Sequence, residues 1–140
     1  MKQAITKFSV IIDTNIIISF LIGRTLKSLP ILLDKNKVTI ISTDEQIKEL
    51  LEVVSRKKFQ KYFSLTNIEE FLKLFEEKSQ IVKLKTNQTI CRDLKDNYLI
   101  NLAIDSKADF LISGDNDILI LKRIGSTEII SYTSFTNIFH

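Results

Sequence analysis

Histidine and cysteine each occur once in this chain of 140 residues, and the two scarcities exclude whole classes of chemistry. Cys91 alone can form neither an intramolecular disulfide nor a multi-cysteine zinc site, and it suits a reducing compartment. His140, at the C-terminal end, removes Ser-His-Asp and Cys-His nucleophile systems and His-based zinc sites. Three glycines and one proline leave no room for a flexible linker or low-complexity tail. No internal repeat or composition shift marks a boundary, so a single domain over residues 1–140 is expected, long enough to bury its own core. A large excess of charge of one sign is also lacking. The net +3 suits a protein that meets a polyanion but decides nothing by itself. Nor is there a long apolar run. Met1 to Lys7 followed by Phe8 to Ile22 imitates a signal peptide, yet Asp13 and Asn15 interrupt it and it is too short and polar to span a bilayer. A cytoplasmic protein without membrane attachment is the expectation.

What is present alternates between strand and helix patterns. Phe8 to Ile12 is a short β-branched run of the kind buried on both faces of a parallel sheet. Asn15 to Leu21 reads as a helix, and Ser28 with Pro30 opens a second one carrying Ile31, Leu32 and Leu33. Val38 to Ile41 is a second strand. Thr43-Asp44-Glu45-Gln46 has capping-box spacing and predicts a helix with Ile47, Leu50, Leu51 and Val54 on its apolar face. A basic turn, Arg56-Lys57-Lys58, precedes Phe59, Tyr62 and Phe63. Thr66 to Lys78 is amphipathic, with Ile68, Phe71, Leu72 and Phe75 as its stripe. Ile81 to Leu84 is a third strand, Asp96 to Ala108 a helix, Phe110 to Ser113 a fourth strand and Glu128 to Ser131 a fifth. A short helix follows Asp117, and another closes the chain near Thr133 to Phe139. The alternation predicts an α/β fold with a parallel sheet covered on both faces.

In such sheets ligands gather beyond the carboxyl ends of the strands, where strand order reverses. Two strands end in an apolar run followed by an aspartate: Ile11-Ile12-Asp13 and Leu111-Ile112-Ser113-Gly114-Asp115. If those strands are neighbours, their aspartates face each other. Asp96, at the head of the helix leading into the fourth strand, would lie at the same edge, and Glu49 is a candidate fourth member. Carboxylates gathered in one cleft repel each other unless a cation neutralises them. With neither His nor Cys to contribute, an all-oxygen site selects a hard cation such as Mg²⁺ or Mn²⁺. The chemistry this implies is phosphodiester hydrolysis.

Ile12-Asp13-Thr14-Asn15, Glu49-Leu50, Asp96-Asn97 with Leu99, Leu102 and Ala103, and Ser113-Gly114-Asp115-Asn116-Asp117 together resemble the PIN-domain ribonucleases. The resemblance runs from about residue 8 to residue 139. It is strongest to the bacterial and archaeal branch assigned as toxin components of toxin–antitoxin pairs. It implies a three-layer sandwich of about five parallel strands in the order 3-2-1-4-5, flanked by helices. It further implies that Asp13, Glu49, Asp96 and Asp115 are the acidic catalytic positions, with Asp117 an additional metal contact. Thr14, Asn15 and Ser113 match small polar residues that orient carboxylates or waters. RNA as substrate, a cognate antitoxin and a homodimer are the partners the family implies.

Simpler roles compete at each position. Asp13 can be a helix N-cap, and Asp115 with Asp117 a turn eased by Gly114. Asp93 rivals Asp96, while Glu45 and Glu52 rival Glu49, which lies opposite the centre of its helix's apolar stripe. Arg56, Lys57, Lys58 and Lys61 form a solvated face or, with Arg24 and Lys27, contact RNA phosphates. A structure-specific DNA nuclease of the flap type would share the acidic cleft. A PIN-fold RNA-binding scaffold without catalysis would share the fold alone.

Overall fold

A computed structural model describes residues 7–21, 37–62, 64–87 and 97–138. The expected helix around Pro30 lies outside them, as do Arg24, Lys27, Phe63, Cys91, Asp93, Asp96 and His140. The apolar runs form the sheet: β1 (Phe8–Ile12), β2 (Val38–Ser42), β3 (Ser79–Ile81), β4 (Phe110–Ile112), β5 (Arg123–Ile124) and β6 (Thr127–Ile130). Helices α1 (Thr14–Leu21), α2 (Asp44–Val54), α3 (Leu65–Lys78), α4 (Asn97–Ser106), α5 (Asn116–Leu119) and α6 (Tyr132–Asn137) connect or flank them.

The sheet runs β3-β2-β1-β4-β6-β5. Its parallel strands keep the expected 3-2-1-4-5 order, with β6 in the fifth place. A two-residue strand, β5, extends that edge antiparallel to β6. Strand β1 lies between β2 and β4, pairing Val10 with Ile40 on one side and Ile12 with Ile112 on the other.

Because side chains alternate along a strand, each strand feeds two cores. Val10, Ile12, Ile40 and Ile112 pack with Ile17 and Phe20 of α1, Leu50 of α2, Phe75 of α3 and Phe135 of α6. Ile11, Ile41, Leu111 and Ile129 face the other way, onto Leu99, Leu102 and Ala103 of α4 and Ile118 of α5. Complete burial of such a side chain contributes about 1.5–3 kcal/mol. This two-sided burial makes the central strands continuously apolar and leaves polar residues to their ends. No helix among the described residues is long and apolar enough to cross a membrane.

Three local expectations are corrected. The third strand forms at Ser79–Ile81 rather than Ile81–Leu84, because its ladder ends where its partner β2 ends, opposite Ser42. Val82 and Leu84 continue as extended chain and pack beside the second core. The apolar face of α2 is turned from the predicted one: Leu51 is 49% exposed, whereas Gln46 is fully buried. The capping box does not form. The Thr43 hydroxyl donates to Glu45 Oε2 (2.6 Å) instead of accepting a backbone N–H, and Gln46 points into the protein.

Candidate active site

The strand ends decide where the acids lie. Ile12 pairs with Ile112, and the Asp13 N–H continues the ladder by donating to the Ile112 carbonyl (2.8 Å). One residue beyond β4, Ser113 therefore stands beside Asp13, and its hydroxyl donates to Asp13 Oδ2 (2.8 Å). The backbone N–H of Asn15 donates to Asp13 Oδ1 (3.2 Å), while the Asp13 carbonyl accepts from Ile16 and Ile17. Asp13 is thus the N-cap of α1 as well as a strand-end carboxylate. Asp115 repeats the pattern at α5, accepting the Asp117 N–H at Oδ1 (2.8 Å). Its own N–H donates to Ser113 Oγ (3.0 Å), so Ser113 links the two aspartates. Gly114 does not adopt a left-handed backbone, so this turn makes no use of glycine's freedom there.

The electrostatics of Asp13 follow from its burial. Burial pushes its carboxyl above the ordinary value of 3.8; hydrogen bonds from Ser113 and Asn15 oppose the rise, and the charges of Glu49 and Asp115 add to it. Glu49 is the glutamate whose charge acts on Asp13. Its rival Glu45 is held below the usual carboxylate range chiefly by the Thr43 hydroxyl, and Glu52 pairs with Arg56 at 3.8 Å on the surface.

Glu49 itself accepts a hydrogen bond at Oε1 from the hydroxyl of Tyr98 (2.6 Å), in the first turn of α4. The Tyr98 oxygen also meets Thr14 Oγ1 at 2.9 Å. Thr14 receives a long contact from Gln46 Nε2 (3.4 Å), which donates more closely to the Ile12 carbonyl (2.6 Å). Ser42 Oγ donates to Gln46 Oε1 (2.6 Å). Burial and then the Glu49 charge push the Tyr98 phenol well above its ordinary range, so it stays protonated as a donor.

Of the expected orienting residues, Ser113 touches Asp13 with its side chain, Asn15 does so through its backbone, and Thr14 reaches the acids through Tyr98. Sequence reasoning missed Tyr98, Gln46 and Ser42. The available signals were a glutamine in phase with Leu50 and a tyrosine directly following Asp96-Asn97. A groove of about 260 Å³ lies outside Glu49 and Tyr98, its walls formed by Glu45, Lys48, Glu52 and Arg56. Lys57 and Lys58 are exposed on the short 3-10 turn beyond it. Tyr62 is exposed, with the Lys61 ammonium over its ring.

The donor set Asp13, Glu49 and Asp115 is all oxygen, as a hard cation requires. Each Asp13 oxygen accepts one hydrogen bond from the contacts above and retains a lone pair for a cation. Among the described residues no group of three or more His, Cys, Asp or Glu is placed to hold a metal ion. Asp96, the further ligand expected from the sequence, lies outside those residues.

Comparison with known proteins agrees with this architecture. Residues 9–117 match the PIN domain. An uncharacterized protein of Methanocaldococcus jannaschii, MJ1680, is 36% identical over 125 residues, covering 86% of this chain and 79% of that protein. PAE2754 from Pyrobaculum aerophilum has a TM-score of 0.64 at 12% identity, with 98% of this chain and 93% of that one covered. VapBC2 from Rickettsia felis, solved bound to a DNA fragment from its promoter, has a TM-score of 0.55 at 18% identity, covering 86% and 96%. The PIN domain endonuclease Utp24 has a TM-score of 0.53 at 19% identity, covering 88% and 84%. At these identities the solved structures speak for the fold, while the match over residues 9–117 speaks for descent: the chain belongs to the PIN-domain family, built on a nuclease fold.

Proposed function

We propose that this protein is a Mg²⁺- or Mn²⁺-dependent endoribonuclease and the toxin component of a toxin–antitoxin pair. The observation that carries the reading is Asp13, a carboxylate only 4% exposed at the end of β1, whose pKa is raised most by burial and further by the charges of Glu49 and Asp115. Repulsion of this kind at a strand end is relieved by a cation. In this reading Asp13, Asp96 and Asp115 hold the ion, and Glu49 and Asp117 contact it directly or through water. When bound, such an ion supplies Lewis acidity at the phosphate and acidifies water. The chain's own residues fix the geometry beforehand. Ser113 and the Asn15 N–H hold the Asp13 carboxylate in one orientation, and Ser113 ties Asp115 to it. In the same reading Arg56, which lines the groove, and Lys57 and Lys58, together with Arg24 and Lys27, screen RNA phosphates.

The toxin assignment draws on the motif resemblance and on the fold shared with VapBC2 of Rickettsia felis. It brings with it a cognate antitoxin, a homodimer and a cytoplasmic setting for one domain over residues 1–140.

Cleavage of single-stranded RNA by the purified protein in Mn²⁺, compared with Asp13→Ala, tests the reading. We expect loss of at least about 100-fold in rate from removing a ligand that holds the ion. An unchanged rate in Asp13→Ala overturns the assignment. Preferential cleavage of a flap DNA would replace RNA with DNA as the substrate, and RNA binding without any cleavage would leave a scaffold.

A further inference from the structure

The contacts around Tyr98 form a chain of hydrogen bonds whose direction is fixed at both ends. At one end stands the Ile12 carbonyl, which can only accept, so the amide nitrogen of Gln46 must face it (2.6 Å). Gln46 Oε1 is then left to accept from Ser42. At the other end stands the Glu49 carboxylate, which also only accepts and takes the single proton of Tyr98 (2.6 Å). With that proton committed, the 2.9 Å contact between Thr14 and Tyr98 requires the threonine hydroxyl to donate. The Thr14 oxygen remains free to receive the second Gln46 proton at 3.4 Å. Donation therefore runs one way, from Gln46 to Thr14, to Tyr98, to Glu49.

The chain draws on α2, the head of α1 and the head of α4, and it is anchored at the last residue of β1. Ser42 and Gln46 are fully buried and Thr14 is 4% exposed, so the upstream members have little freedom to rearrange. Glu49 is the member with an alternative. It also borders the outer groove, where Lys48 and Arg56 stand among Glu45 and Glu52, the latter paired with Arg56 at 3.8 Å. A flexible glutamate repelled by the Asp13 charge would turn out into that groove unless something held it.

We infer that Tyr98 is a positioning residue, whose hydroxyl, oriented by Thr14 and Gln46, holds the Glu49 carboxylate beside Asp13 rather than free in the outer groove. The inference rests on the nuclease reading above and adds to it a residue outside the acidic motif. Partners that fix a ligand's orientation typically account for about 10- to 100-fold in metal affinity or activity.

Tyr98→Phe keeps the ring and removes the hydroxyl. Mn²⁺ affinity by calorimetry should fall by about 10-fold or more, and kcat for RNA should fall with it while KM stays level, because Tyr98 acts through Glu49. The decisive arm is a double-mutant cycle. In a Glu49→Ala background, Tyr98→Phe should cost nothing further in Mn²⁺ affinity. Thr14→Val, which removes the hydroxyl upstream, should show a smaller loss that also vanishes in that background. Should Tyr98→Phe lose the same factor with or without Glu49, its role is structural support and the inference falls. If wild type binds Mn²⁺ and cleaves RNA and Tyr98→Phe matches it in both, the positioning role alone is overturned. If wild type neither binds Mn²⁺ nor cleaves, the nuclease reading fails and this inference fails with it.

Discussion

Because Asp13 accepts from the Asn15 N–H at the head of α1 and from the Ser113 hydroxyl of the neighbouring strand end, both of its oxygens are held in place by the fold. The capping role and the candidate ligand role therefore coincide, since a carboxylate at a helix N-terminus satisfies an orphan N–H while keeping lone pairs for a cation. The same position is costly in the metal-free state. Burial and the nearby acids lift the Asp13 carboxyl above 3.8, so the folded chain holds that proton to higher pH than the unfolded chain does. The stability contributed by the proton is complete below the unfolded value and is lost as pH rises through the folded one. Asp13→Asn removes the charge while keeping the size and an acceptor for Asn15. In EDTA, melting curves should show Asp13→Asn above wild type at pH 7, with the gap closing toward pH 4. A variant that melts lower than wild type at pH 7 would mean that the carboxylate is a net structural asset. Asp13 and Asp115 were legible in the sequence because an apolar strand running directly into an aspartate is a local pattern. Tyr98 was not, because its partner Glu49 is far along the chain and the two side chains meet only past the carboxyl edge of the sheet, whose opposite faces α2 and α4 cover.

Among the elements, the strands β1, β2 and β4 were the most legible. Burial on both faces demands a continuous β-branched run, and few other structures do. Helix α2 shows where pattern reading stops. Its apolar residues gave a stripe through Leu51, but the helix is rotated to bury Gln46 and leave Leu51 in solvent. The reason is a backbone group that no sequence pattern displays. The Ile12 carbonyl at the end of β1 needs a donor, and Gln46 supplies it while also accepting from Ser42. Once Gln46 faces inward, Glu49 moves from the back of the helix to its flank, within reach of Asp13 and Tyr98. The same polar link should carry measurable stability. Gln46→Leu fits the apolar surroundings but leaves the Ile12 carbonyl and the Ser42 hydroxyl without their partner, at about 1–3 kcal/mol for each group. Urea unfolding should therefore show a loss of about 3 kcal/mol with an unchanged slope. A midpoint equal to or above wild type would show that hydrophobic burial outweighs the link.

For the whole molecule, the acids meet because of topology. Successive strands build outward on one side from β1 to β2 to β3, and the chain then crosses to β4 on the other side. The reversal between β1 and β4 opens the edge where Asp13 and Asp115 stand, the place where sheets of this class receive ligands. The fold thus assembles mutually repelling carboxylates at its own centre, and an ion bound there acts on the folded state alone. By mass action, Mn²⁺ at a hundred times its dissociation constant should stabilise the protein by about 2.7 kcal/mol. For a domain of this size that corresponds to a rise of about 5–10 °C in melting temperature. The rise should saturate with Mn²⁺, reverse with EDTA, and be absent in Asp13→Asn. Sodium chloride at matched ionic strength should not reproduce it, because screening weakens long-range charge without occupying the site. A rise of equal size in wild type and Asp13→Asn would place the ion elsewhere on the surface. No rise at all would leave the repulsion around Asp13 without the cation that the proposed nuclease chemistry requires.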